Sequence, residues 1–326
     1  MRQWQLESGK LTLSVAPDPV PGPGEVLVRL DAWALNYRDL MILRGEYGTP
    51  KLSPLVPLSD AAGEVVATGP GTDGFKVGAR VMPCFLQRWI QGPIRPEHYG
   101  SDLGFGLPGT LCELRIFPTA SLTPVPPHLS PAEAATLPCA GVTAFNALRW
   151  LQPGQTVLTL GTGGVSIFAL QLAKALGARV IITSRSDEKL AWARALGADH
   201  GINYHTTPEW DKEVLSLCGG ANLVVETGGA KTFQQSLNAL AAGGTLALLG
   251  RLTGITQGVN VQPLVYKAAT LRGIYVGSRD DLAELAAFMT RHNLKPVVDQ
   301  RVRFDEAARA FQALAAGPFG KVVITA

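Results

Sequence analysis

The chain has 326 residues, 46% of them hydrophobic and 17% charged, which supplies apolar material for a sizeable core and excludes global disorder. A net charge of +3, with no run of Lys or Arg, excludes the concentrated basic face of a nucleic-acid binder. The 36 glycines and 23 prolines follow no period, so they mark tight turns rather than a fibrous repeat.

Met1 to Val15 alternates polar and apolar residues and has neither a basic n-region nor an apolar h-region, so no signal peptide is expected. Glu25 to Asp31 alternates with period two after the turn-rich Pro19 to Gly24 and predicts a strand. Ala62 to Thr68, Val77 to Met82 and Leu111 to Phe117 predict further short strands, which makes residues 1–125 β-rich. Between them Cys84 to Thr110 predicts a long loop carrying Trp89, His98 and Tyr99. Loops of this length are usually functional or mobile; here a solvated loop is expected rather than a catalytic lid.

The texture changes at Thr156. Thr156 to Leu160 is a buried-strand run followed by a Gly-rich turn and an amphipathic helix to about Leu176. Arg179 to Thr183, Asn222 to Glu226 and Thr245 to Leu249 are further apolar strands, separated by helices at Asp187 to Leu196 and Thr232 to Leu240. Continuous apolar strands alternating with helices predict a parallel sheet covered on both faces. Leu271 to Val276 reads as one more strand, then come helices at Asp280 to His292 and Asp305 to Ala315 and a last strand at Lys321 to Thr325. The most apolar stretch, Phe168 to Ile182, is broken by Gln171, Lys174, Gly177 and Arg179, so no membrane helix is expected. Cys84, Cys112, Cys139 and Cys218 are far apart, without a CxxC pair, and read as reduced thiols of a cytoplasmic protein.

The sharpest motif is Gly161-Thr162-Gly163-Gly164-Val165-Ser166, at the junction of a predicted strand and helix. In that setting the first glycine makes a tight turn, the second admits a pyrophosphate, and the helix N-terminus presents N–H donors to it. Ser166 replaces the third glycine with a small residue. An NAD site places an acid at the end of the second strand, where this chain has Ser184-Arg185-Ser186. Arg185, the Ser184 hydroxyl and Lys189 suit a 2′-phosphate instead, so NADP(H) is the expected cofactor; the alternative leaves Arg185 and Lys189 as solvated surface residues.

At this point the residues resemble a known family. Pro21-Gly-Pro-Gly-Glu25, Leu35-Asn36-Tyr37-Arg38-Asp39, Pro57-Leu-Ser59-Asp60, Leu137-Pro-Cys139-Ala-Gly141-Val-Thr143, the glycine turn, Leu196 to Tyr204 and Phe319-Gly-Lys321 occur in the order of the medium-chain dehydrogenase/reductase superfamily, in its zinc-free quinone-reductase-like branch. The resemblance implies an α/β fold: a GroES-like catalytic domain at 1–125 and 277–326, around a Rossmann domain at 126–276. It extends the cofactor-binding set to Thr143, Tyr204, Thr227, Gly228, Leu249, Gly250 and Lys321. It also implies a homodimer paired through the edge strand at Leu271 to Val276.

Zinc-dependent relatives hold their metal with Cys, His and Cys. Here Asn36 and Ser59 stand at the first two places and only Cys139 remains, so no metal is expected. Without zinc nothing lowers the pKa of an alcohol, and the chemistry left is reduction of an activated acceptor, a quinone or an α,β-unsaturated carbonyl. Tyr47 matches the proton donor of related enoyl thioester reductases and is otherwise a packing residue. Asn36 is expected to contact the substrate or the nicotinamide, and its amide can donate to the developing oxyanion. Tyr37 and Asp39 are expected to serve structure, Arg38 stays open, and the remaining histidines receive no role. Two other functions stand beside this one: an alcohol dehydrogenase with an atypical metal site, and a catalytically idle NADPH-binding protein.

Overall fold

A computed structural model describes residues 1–254 and 258–326. The strands are β1 (Arg2–Glu7), β2 (Lys10–Val15), β3 (Glu25–Ala34), β4 (Asp60–Thr68), β5 (Arg80–Pro83), β6 (Leu114–Pro118), β7 (Leu122–Pro124), β8 (Thr156–Thr159), β9 (Arg179–Ser184), β10 (His200–Asn203), β11 (Ala221–Glu226), β12 (Leu240–Leu248), β13 (Thr270–Gly273), β14 (Val298–Arg303) and β15 (Lys321–Thr325). They fall in two compact units, Met1–Val142 with Val276–Ala326, and Thr143–Tyr275.

The first unit carries the hairpin β1–β2 and a seven-stranded sheet in the order β14-β15-β3-β4-β5-β7, with β6 also pairing β3. The pleat of β3 sends Val26, Val28 and Leu30 into the core. Trp33, fully buried, donates its indole N–H to the Thr110 carbonyl at 2.6 Å and packs on Phe304. β15 lies parallel to β14 and antiparallel to β3, so residues from both ends of the chain share this core.

Two sequence expectations shift here. The first unit reaches Val142 rather than residue 125, because the helix Pro131–Ala134 packs on β3 and β4 and the turn Leu137–Gly141 packs on β4. The stretch Cys84 to Thr110 is solvated only in its middle, around residues 91–99: Phe85, Leu86 and Leu103 are fully buried, and Arg38 ties it down from the side. Its apolar residues lack strand or helix periodicity, which is why their burial was not visible in the pattern.

The second unit is a six-stranded parallel sheet in the order β10-β9-β8-β11-β12-β13. The strand order reverses between β8 and β11, and in open parallel sheets ligands bind in the crevice at the carboxyl ends of such a pair. All of β8 and most of β9 and β11 are buried, as continuous apolar strands covered by helices on both faces must be. β13 closes one edge; it is shorter than Leu271 to Val276, and its residues are exposed. Among the described residues no helix is long and apolar enough to cross a membrane.

Candidate active site

In the second unit the glycine turn follows β8 directly. Gly161 takes φ +73, a left-handed conformation that favours glycine, and Gly163 is the N-cap of the helix Gly164–Ala175. A side chain built on Gly161 or Gly163 would meet no protein atom within 4 Å. Gly163 brings no capping side chain, so the first-turn N–H groups face this open space. A pyrophosphate fits both the space and the donors.

Ser166 has a different task from the glycine it replaces. Its hydroxyl donates to the Leu160 carbonyl at 2.6 Å, and Thr227 donates to the same oxygen at 2.9 Å. The two side chains thus tie the end of β8 to the helix and to the loop after β11. Gly250 is required by a close approach, since a Cβ there would lie 1.9 Å from the Thr227 carbonyl oxygen. The loop is organised by Glu226, which sequence reasoning missed. This fully buried carboxylate accepts from Gly228 N–H at 2.6 Å, Gly229 N–H at 2.9 Å and Thr232 Oγ1 at 2.7 Å, and from the Ser236 hydroxyl. The signal was an acid at a strand end followed by Thr-Gly-Gly.

At the end of β9, Ser184 is buried and its Oγ accepts from Ser186 N–H at 3.2 Å. Arg185 is exposed and Lys189 half-buried, on the first turn of the helix Asp187–Ala195. Ser186 caps that helix by accepting from Lys189 N–H. The nearby acid, Asp187, is held by the Asn203 amide at 2.9 Å. Tyr204, just past β10, stands partly exposed and donates its backbone N–H to Ser184.

In the first unit a polar cluster forms where β3, β4 and β15 meet. Asn36 follows β3 and caps the helix Tyr37–Leu43; Ser59 and Asp60 open β4; Lys321 opens β15. The Lys321 ammonium donates to the Leu35 carbonyl at 2.6 Å and to Asn36 Oδ1 at 2.7 Å. The resemblance also counts Lys321 among the cofactor-binding residues; its ammonium here is bonded to Leu35 and Asn36. Asp60 accepts from the Ser59 hydroxyl at 2.6 Å and from Cys139 N–H at 3.2 Å. Burial pushes the Asp60 pKa up, against the pull of Lys321 and hydrogen bonding from Asn36 and Ser59. The same burial pushes the Cys139 thiol far up, with the Asp60 charge adding to it. Leu58, just before this pair, sits at φ +68, a strained conformation for a branched residue. Thr110 N–H holds it in place by donating to its carbonyl at 2.9 Å.

Asp39 reaches back to accept from Asn36 N–H at 2.7 Å, and burial raises its pKa to about 6. Arg38 pairs with Asp102 at 2.6 Å and donates to the Leu103 carbonyl, while its guanidinium lies over the rings of Phe85 and Tyr47. Tyr47 also makes an edge contact with Phe105, beside Leu6, Ile42 and Leu55. Arg38 therefore joins the Asn36 helix, the packed loop and Tyr47.

A parallel sheet with a switch point and an open glycine turn has the features of a dinucleotide-binding domain. The chain belongs to the medium-chain dehydrogenase/reductase superfamily, among the zinc-type alcohol dehydrogenase-like proteins. Residues 22–127 match the alcohol dehydrogenase GroES-like domain, and residues 164–291 match the zinc-binding dehydrogenase family. The chain is 40% identical over 314 residues to the zinc-type alcohol dehydrogenase-like protein C1773.06c of Schizosaccharomyces pombe, covering 93% of this chain and 91% of that one. It is 31% identical to the acryloyl-coenzyme A reductase of Metallosphaera sedula over 94% of each chain. A solved NAD-dependent alcohol dehydrogenase is 36% identical and superposes over all of both chains with TM-score 0.90.

Zinc, which these descriptions imply, does not fit the cluster. Catalytic zinc takes three protein ligands from Cys, His and carboxylates, and among the described residues no three such side chains are grouped to hold a metal. Asn36 and Ser59 contribute an amide and a hydroxyl, and the Lys321 ammonium already brings a positive charge to Asn36.

Proposed function

We propose that the protein is an NADPH-dependent reductase of quinones or α,β-unsaturated carbonyls that works without catalytic zinc. The observation that carries this reading is the cluster itself: an amide, a hydroxyl and a buried ammonium in place of metal ligands. An alcohol substrate needs a Lewis acid or strong base to make its alkoxide. A conjugated acceptor needs only hydrogen-bond donors for the oxygen on which charge builds, and a proton.

A bound NADPH supplies the hydride. Asn36 holds the carbonyl oxygen through its amide N–H groups, and the Tyr47 phenol gives the proton that completes the saturated carbonyl. The glycine turn, Thr227 and Gly250 would seat the pyrophosphate, and Thr143, Gly228, Leu249 and Lys321 would hold other parts of the cofactor. Ser184, Arg185, Lys189 and Tyr204 would receive the adenosine 2′-phosphate; the run Ser184-Arg185-Ser186 at the end of β9, where an NAD site places an acid, supports NADPH over NADH. The exposed edge strand β13 suits pairing across a two-fold axis, which would shield its open backbone groups, and a cytoplasmic homodimer completes the reading.

The test is NADPH oxidation against a panel of quinones, enones and simple alcohols with NADP⁺, before and after chelator, together with elemental analysis. Turnover of conjugated acceptors that chelator leaves unchanged is the expected result. One tightly held zinc per chain, with activity lost on its removal, would establish an alcohol dehydrogenase with an atypical metal site. NADPH binding without turnover of any acceptor would establish an idle binder.

A further inference from the structure

We propose that the open edge of β14 is a docking site for an acidic extended peptide segment, added to the seven-stranded sheet as one more strand. β14 ends that sheet: one side pairs with β15, and the other pairs with no strand among the described residues. The main-chain donors and acceptors of such an edge are a template for a further strand. The helix Ala307–Ala315 runs beside it, and a groove of about 390 Å³ lies between the two.

Alternation along β14 sorts its side chains. Val302 is partly buried against the core, whereas Arg301 and Arg303 are exposed on the opposite face. Three arginines and one acid border the groove: Arg301, Arg303, Arg309 and Glu306. Glu306 is engaged by Arg309 at 2.8 Å. Asp305, the next acid, is held by Arg2 at 2.7 Å and lies 3.8 Å from Arg303, beyond hydrogen-bond reach. Asp299, near the start of β14, confines the positive stretch to the C-terminal half of the strand. Arg301 and Arg303 therefore keep donors to spare for the carboxylates of a partner.

Charges on an edge strand can serve only to keep other strands away. Charges of one sign two residues apart do more. They turn away a basic strand and favour one that carries an acid at every second residue, because opposite charges directly across a pair stabilise it and like charges oppose it. The residues between those acids fall on the other face, over Val302 and Ala313, where the groove suits small apolar side chains. Alternating acidic and small apolar residues thus define the segment this edge accepts.

The probe is a short end-blocked peptide of alternating Glu and Val, carrying a fluorophore, titrated with the full-length protein and followed by anisotropy. Saturable binding is expected, and Arg301→Glu with Arg303→Glu should weaken it by about tenfold or more, since two attractive cross-strand pairs become repulsive. Both positions are exposed and lie outside the cofactor and Asn36 sites, so the double variant should keep the wild-type circular dichroism spectrum and NADPH affinity. A Lys-Val peptide should not bind where the Glu-Val peptide saturates. A Glu-Pro peptide keeps the charge but lacks the proline N–H groups a ladder needs, and should bind at least about fivefold more weakly. Hydrogen exchange gives a second readout that needs no variant: backbone amides within residues 299–303 should slow with the Glu-Val peptide and not with the Lys-Val one. No saturable binding, binding that charge reversal leaves untouched, equal affinity for the Glu-Pro peptide, or protection confined to other strands would overturn the proposal.

Discussion

Glu226→Gln probes the loop that follows β11 more directly than any change to the glycine turn. Oε1 accepts three hydrogen bonds and Oε2 one, the pattern of an ionised carboxylate, in a residue with no solvent exposure. In the amide variant the remaining oxygen keeps its three donors, but each bond loses its charge assistance. Hydrogen bonds to charged groups are worth about 1.5–3 kcal/mol against about 0.5–1.5 for neutral ones, so these bonds together lose about 3 kcal/mol. The new NH₂ faces the Ser236 hydroxyl, which must turn to accept and then seek another acceptor in a fully buried place. For a chain of 326 residues, about 3 kcal/mol lowers Tm by roughly 4–5 °C. Thermal unfolding followed by circular dichroism measures it, and NADPH titration should show weaker binding because Thr227 and Gly228 ride on the same carboxylate. A Tm within about 1 °C of wild type would refute the account of Glu226 as organiser of this loop.

Three further outcomes follow from the sites described above. Arg185→Ala should remove most of the preference for NADPH over NADH, about 1.5–3 kcal/mol for a charge-assisted phosphate contact; equal dissociation constants for the two cofactors in the wild type would rule that contact out. Tyr47→Phe should lower kcat on enones by roughly 10²-fold, and less on quinones, whose reduced anion is a weaker base that solvent can protonate; full kcat on every accepted enone would leave Tyr47 a packing residue. Asp39→Asn should change the pH dependence of stability: with the folded pKa raised to about 6, the native state holds the proton more tightly than the unfolded one, so wild-type stability relative to the variant falls as pH rises from about 4 to about 6. Parallel denaturant titrations across that window check the sign, and a difference that grows with pH in favour of wild type would contradict it.

The parts legible in the sequence are those whose physics is local. The glycine turn, the apolar strands β8, β9 and β11 and the helix Arg279–Arg291 announce themselves within a dozen residues, through period, turn chemistry and capping. β10 and β14 were missed because each is short or edge-placed and carries polar side chains; Ile202 is the buried residue of β10, and β14 is largely exposed. The helix Trp210–Cys218 was missed too, although Trp210, Val214, Leu217 and Cys218 recur at helical spacing and pack on the core of the second unit. The glycine turn could be placed from its own pattern, whereas the cluster around Asn36 could be named only in part. Asn36, Ser59 and Cys139 were visible as departures from a metal-ligand pattern. The roles of Lys321, Asp102 and Glu226 were not, because each depends on partners brought together by the fold: Lys321 on Leu35 and Asn36, Asp102 on Arg38, Glu226 on the turn that wraps it.

The pairing of β15 between β14 and β3 has a consequence for how the molecule is made. A ribosome delivers β3 and Asn36 early and Lys321 to Thr325 some three hundred residues later, with the whole of Thr143–Tyr275 in between. The parallel sheet is a contiguous stretch and can close as soon as it has left the exit tunnel. In the other unit β6 can pair Glu25 to Arg29 of β3 early, but Ala32 to Ala34 must wait for β15. That leaves a short open strand end on a nascent chain, at which chaperones or neighbouring chains can attach. The ammonium bonded to Asn36 arrives with that same final strand. A translation product that stops short of Lys321 therefore keeps its nucleotide-binding sheet intact while losing both the seal on β3 and the charge beside Asn36.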